Sequence, residues 1–85
     1  MNTTKMTLKE QVYETIDEYM HERMGHEIQD YDSLRYVGVD DIKVLDLMCH
    51  LEEQFNIEFE GDESEMWLYP IHVFRSVERF VNAKR

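Results

Sequence analysis

The chain has 85 residues, with nine Lys and Arg against 19 Asp and Glu and a formal net charge of −10. This length suits a single domain, 1–85, because a second hydrophobic core would not fit. An apolar fraction of 42% and an aromatic fraction of 12% are too high for a disordered acidic tail. The charge argues against nucleic acid and against an anionic membrane surface as partners, since both attract basic proteins. We therefore expect a folded domain whose partners are basic.

Cys49 is the single cysteine, which excludes an internal disulfide and a cysteine-based zinc cluster. His21 and His26 are five residues apart, whereas two metal ligands on one helix face need a spacing of four. We therefore predict no metal site. The apolar runs are too short for a transmembrane helix, and the polar N-terminus lacks the apolar core of a signal peptide. These features predict a cytoplasmic, reduced protein.

The first helix is predicted over residues 8–24. It follows a capping box, in which Thr7 and Glu10 exchange side-chain and backbone hydrogen bonds. Apolar residues then recur at steps of three and four, and Gly25 is the predicted stop. The connection 25–39 carries too many apolar residues for a loop that lies in water. We expect it to pack against the helices.

The second helix is predicted over residues 41–55, with Asp40 as its N-cap. The apolar stripe predicted to face the core consists of Leu45, Met48, Leu51 and Phe55. Cys49, beside this stripe, is interpreted as a small buried hydrophobic residue. An acidic face on this helix is predicted from Asp40, Asp46, Glu52 and Glu53.

Two further elements complete the predicted fold. Residues 63–67 are predicted to form one short helical turn. Pro70 is predicted to begin the last helix, where its missing amide costs nothing. The apolar face of that helix consists of Val73, Val77, Phe80 and Val81. Three helices and a short one predict a small all-α bundle.

The connection and the entry of the second helix read Ser33-Leu34-Arg35-Tyr36-Val37-Gly38-Val39-Asp40-Asp41-Ile42. This run is similar to Ser-Leu-x-x-Leu-Gly-x-Asp-Ser-Leu, the typical loop and helix entry of the acyl carrier protein family, and the resemblance extends without a gap to Phe59. The segment from Leu45 to Phe59 is similar to the family's second helix and its exit, and 72–81 to its last helix. The resemblance implies an acyl-carrier-type four-helix bundle, with a long loop between helices one and two and a short third helix.

The resemblance also marks a departure. In the family, a transferase moves 4′-phosphopantetheine from coenzyme A onto the serine that opens helix two, and acyl groups are carried on its thiol. Asp41 stands at that position, and a carboxylate cannot form the phosphodiester. Ser33 lies in a literal copy of the family's Asp-Ser-Leu, but its register is wrong. Leu34 precedes Leu51 by 17 residues, whereas Ile42 precedes it by the family's nine.

We therefore predict an acyl carrier protein homologue that is not loaded. It would have no cofactor and no enzyme activity, and act as a monomeric interaction or regulatory module in fatty-acid, polyketide or related biosynthesis. The residues predicted to contact a basic enzyme surface are Asp40, Asp46, Glu52 and Glu53. The alternative is a working acyl or peptidyl carrier, with 4′-phosphopantetheine on Ser33 or with a natural serine at position 41. A third interpretation, which only the charge supports, is an acidic decoy for a nucleic-acid-binding surface.

Overall fold

The computed structural model describes residues 6–19 and 28–84. Over these residues the fold is all-helical, with no strand. In chain order it consists of α1 (Leu8–Asp17), α2 (Asp41–Phe55), a 3₁₀ turn (Glu63–Met66) and α3 (Pro70–Ala83). The predicted bounds of the second helix are confirmed, as are the short turn before α3 and the start of α3 at its proline. No helix in the described part of the chain is long and apolar enough to cross a bilayer.

The first helix begins where predicted and ends earlier. Its capping box is present, with the side chains of Thr7 and Glu10 each accepting the other's backbone amide. The helix ends at Asp17, and the next two residues form a turn, so the predicted continuation through them is wrong. Asp17 and Glu18 stand at the negative end of the helix dipole with no basic residue in the last turn, which weakens this end. The rest of the predicted helix and its stop glycine fall within 20–27, outside the described residues.

The connection before α2 packs against the helices, as predicted. Its buried apolar side chains are Leu34, Val37 and Val39. The amide of Leu34 donates to the carbonyl of Leu68 at 3.1 Å, and the amide of Ile71 donates to the carbonyl of Asp30 at 3.1 Å. Backbone hydrogen bonds therefore join the connection to the start of α3. They place the entries of α2 and α3 at the same end of the molecule.

The inward face of α2 differs from the predicted one at Leu45. Leu47 and Leu51 are fully buried and Val44 packs against the core, whereas Leu45 is 50% exposed. Cys49 is exposed as well, so the predictions that it is buried and that Leu45 faces the core are both wrong. Of the predicted stripe, Leu51 is buried and Met48 and Phe55 pack against the core, so three of its four residues are confirmed. The face that packs inward is shifted toward Val44 and Leu47, which leaves Leu45 and Cys49 in solvent.

Candidate functional site

Two adjacent carboxylates at the start of α2 have different roles. Oδ1 of Asp40 accepts the amides of Ile42 at 3.1 Å and Lys43 at 2.9 Å, as the N-cap prediction requires. The bond from the Lys43 amide is the largest of the effects that lower the pKa of Asp40. Asp41 is the first residue of the helix, and its side chain is 85% exposed. Nη2 of Arg35, in the preceding connection, donates to Oδ1 of Asp41 at 2.8 Å.

Asp41 does not fit the prosthetic group that the resemblance implies. A carboxylate that attacked the phosphorus of coenzyme A would form a mixed anhydride, which water hydrolyses, and not a stable phosphodiester. Ser33 does carry a hydroxyl and is exposed. Its oxygen accepts the amide of Tyr36 at 3.2 Å, and its carbonyl accepts the amide of Val37 at 3.1 Å. Ser33 therefore closes a turn in the connection, as serine commonly does.

The predicted acidic face divides into structural and solvent-facing residues. The carboxylate of Asp40 accepts two backbone amides as the helix N-cap. Oε2 of Glu52 accepts the amide of Phe59 at 2.8 Å and so holds the chain after α2 against the helix. Asp46 and Glu53 are exposed on the outside of α2. Among the four predicted partner-binding residues, Asp40 and Glu52 accept backbone amides, whereas the carboxylates of Asp46 and Glu53 face solvent.

An apolar component of this surface was missed by the sequence reasoning. We define the α2 outer face as the five exposed residues Ile42, Leu45, Asp46, Cys49 and Glu53. They are separated by steps of three and four and so share one side of the helix. Ile42 is 74% exposed, although it is a large aliphatic residue. The spacing of these five residues was the signal that could have identified the face.

The connection adds an aromatic residue near the same end of α2. Tyr36 is 77% exposed. It follows Arg35, whose guanidinium contacts Asp41, so the turn that carries Tyr36 lies beside the first turn of α2. The start of α2 therefore combines exposed apolar side chains with an ion pair and flanking carboxylates. Large exposed apolar side chains that are close together are typical of protein interaction sites.

Metal-ligand clusters and surface grooves are the other features that could form a site. Within residues 6–19 and 28–84, no three His, Cys, Asp or Glu side chains cluster as metal ligands. The predicted histidine pair lies outside the described residues. An open groove of about 560 Å³ lies where the C-terminal ends of α2 and α3 meet, and residues lining it include Ile57, Phe80 and Lys84. A 15-residue helix is roughly 22 Å long, so the length of α2 separates this groove from Asp41.

No protein-family model matches the chain, and no curated protein matches it.

Proposed function

We propose that the chain is an acyl carrier protein homologue that cannot be loaded and that acts as a protein-interaction module beside enzymes of fatty-acid, polyketide or related biosynthesis. The order of elements supports a carrier-type four-helix bundle. A long packed connection precedes α2, and a short 3₁₀ turn precedes the last helix. The observation that carries the proposal is the placement of Asp41, an exposed carboxylate on the first residue of α2, inside an otherwise carrier-like frame.

The surroundings of Asp41 support a role without a prosthetic group. Arg35 contacts the carboxylate, so the position that would carry phosphopantetheine in the family carries an ion pair here. Asp40 caps the helix, and Gly38 in the connection adopts a positive φ of 102°, a conformation that favours glycine. Both residues belong to the part of the chain that resembles the family, which supports a carrier-like frame around a position that cannot be loaded.

The α2 outer face supports docking to a basic partner. Exposed carboxylates raise the rate at which a basic surface arrives, and buried apolar contacts then supply most of the affinity. Asp46 and Glu53 provide the charge, and Ile42 and Leu45 provide the apolar contact. A second copy of this chain would place the same carboxylates against each other. The proposed partner is therefore a different protein, with an apolar patch surrounded by Lys and Arg.

The test compares charge reversal on two helices. The probe is a broad-specificity phosphopantetheinyl transferase, an enzyme that recognises carrier proteins. Asp46→Lys with Glu53→Lys should slow its association by about tenfold, since rim charges act mainly through steering. Glu14→Lys with Glu18→Lys is the matched control, because both residues are exposed on or next to α1. The control should change association much less.

The outcomes separate the proposals. Rising salt should weaken the complex, because exposed charges are screened over about 8–10 Å at physiological ionic strength. An equal fall in association rate for both double variants would contradict the docking role of α2. It would favour the decoy interpretation, in which binding depends on negative charge over the whole surface. A complex that is insensitive to salt would contradict both. Circular dichroism should show that both double variants remain folded, since surface substitutions usually change stability by no more than about 0.5 kcal/mol.

A further inference from the structure

A buried carboxylate connects the 3₁₀ turn to α3. Glu63, the first residue of the turn, is only 4% exposed. Its Oε2 accepts the hydroxyl of Ser76 at 2.6 Å and pairs with the guanidinium of Arg79, and both of these residues lie on α3. Oγ of Ser76 in turn accepts Nε1–H of Trp67 at 2.8 Å. We call these four residues the Glu63 network.

The directions of these bonds make the charge on Glu63 important. An indole N–H only donates, so Ser76 must use its oxygen for Trp67 and direct its one proton toward Glu63. Arg79 also only donates. Both groups therefore need an acceptor at position 63, and a charged acceptor forms bonds roughly twice as strong as a neutral one. A carboxylate at position 63 therefore strengthens both bonds relative to a neutral acceptor.

The Glu63 network adjoins an aromatic cluster, because Trp67 belongs to both. The ring of Trp67 meets the ring of Phe59 edge to face at 5.3 Å between centroids, and Phe59 meets Phe80 in the same way at 5.1 Å. By contrast, Glu65 and Met66, the last two residues of the turn, are exposed. We define residues 60–69 as the strap, in which the backbone alternates between exposed residues such as Met66 and Leu68 and the buried Glu63 and Trp67.

The C-terminal end of the strap is tied to the connection, since the amide of Leu34 donates to the carbonyl of Leu68 and the rings of Tyr31 and Tyr69 meet edge to face. The rest of the strap is held less firmly. A 3₁₀ turn has poorer hydrogen-bond geometry than an α-helix, and this one has no side-chain cap at Asp62. The other strap carboxylates, on Glu60, Asp62 and Glu65, belong to exposed residues. On α2, the carboxylate of Glu52 accepts a hydrogen bond from the amide of Phe59. Arg79 is the charged group on a neighbouring element that contacts Glu63.

We propose that the strap 60–69 is held closed by the charge on Glu63, and that neutralising this carboxylate releases the strap as a unit while α1, α2 and α3 stay helical. Segments with few ties open locally at a lower cost than the whole fold. Release uncovers Trp67 and Phe59, an apolar surface that the closed form buries. Acid is the natural trigger.

The single tryptophan of the chain is the reporter. In an acid titration of the wild-type protein, the red shift of Trp67 emission should come at a higher pH than the loss of far-ultraviolet helical ellipticity. Coincident transitions would overturn the proposal, because the strap would then open only with the whole fold. Glu63→Gln should show the red-shifted, quencher-accessible tryptophan already at neutral pH, with helical ellipticity retained, and should lack the first acid step.

A matched control lies in the same turn. Glu65→Gln removes the same charge from an exposed position and should leave tryptophan emission and its acid step unchanged. A Glu63→Gln variant with a buried tryptophan at neutral pH would overturn the proposal. So would an equal red shift in Glu65→Gln, because loss of any strap charge would then suffice. If Glu63→Gln fails to fold, the two transitions of the wild-type titration still decide between release of the strap and global unfolding.

Discussion

Removing Glu52 should destabilise the fold, whereas removing its neighbour Glu53 should not. Oε2 of Glu52 accepts the amide of Phe59 at 2.8 Å, in a half-buried position seven residues further along the chain. A hydrogen bond to a charged group contributes about 1.5–3 kcal/mol, and partial exposure favours the lower end of that range. Glu52→Ala should therefore reduce the free energy of unfolding by about 1.5 kcal/mol. For a domain of this size, such a loss lowers Tm by about 6–12 °C.

The matched variant is Glu53→Ala. It makes the same change at the adjacent helical position, so differences in helix propensity cancel, and stability should change by no more than about 0.5 kcal/mol. Thermal and urea unfolding followed by circular dichroism measure both variants. Equal Tm values for the two variants would refute the reasoning that separates a structural Glu52 from a solvent-facing Glu53. The docking test therefore changes Glu53 and not Glu52, because a Glu52 variant would lose stability and a fall in binding could then result from unfolding.

Three other predictions concern α2 and α1. Leu51→Ala should cost about 2–5 kcal/mol in urea unfolding because its side chain is fully buried, whereas Leu45→Ala should cost no more than about 0.5 kcal/mol; similar costs would contradict the assigned orientation of α2. The thiol of Cys49 should react with a maleimide in the folded protein, and protection until unfolding would contradict its exposure. Tyr13 donates to Asp30 at 2.7 Å, which lowers the pKa of that carboxyl below its ordinary 3.8. Tyr13→Phe should therefore reduce stability at neutral pH, and its difference from wild type should fade as the pH falls below 3.8 through the lowered pKa; a difference that persists in acid would contradict this.

Features that depend on neighbouring residues were predictable from the sequence. Asp40 caps α2 because its side chain reaches amides two and three residues ahead, and the helix bounds follow from that cap and from the apolar spacing. The capping box of α1 and the start of α3 at Pro70 are equally local. The exposure of Asp41 also follows from its place in the first turn of a capped helix.

Features set by tertiary packing were not predictable in the same way. Leu45 was predicted to face the core, but packing by the other elements orients α2 so that Leu47 is buried and Leu45 is exposed. The bond from Phe59 to Glu52 requires the chain to reverse at Asn56, which adopts a left-handed φ of 54°. The Glu63 network joins residues 13 positions apart that lie on different elements. Sequence spacing alone indicates none of these contacts.

The most direct test of the proposed function is the intact mass of the chain after incubation with coenzyme A and a broad-specificity phosphopantetheinyl transferase. The wild-type mass should stay unchanged, because Asp41 has no hydroxyl, while Asp41→Ser should gain one phosphopantetheine group. If Asp41→Ser is not modified, Lys43→Asp added to it tests whether the positive charge at that position blocks the transferase. A double variant that also stays unmodified would contradict the carrier-like frame. A phosphopantetheine adduct on the wild-type chain, mapped to Ser33 or to any other residue, would contradict the claim that this chain cannot be loaded.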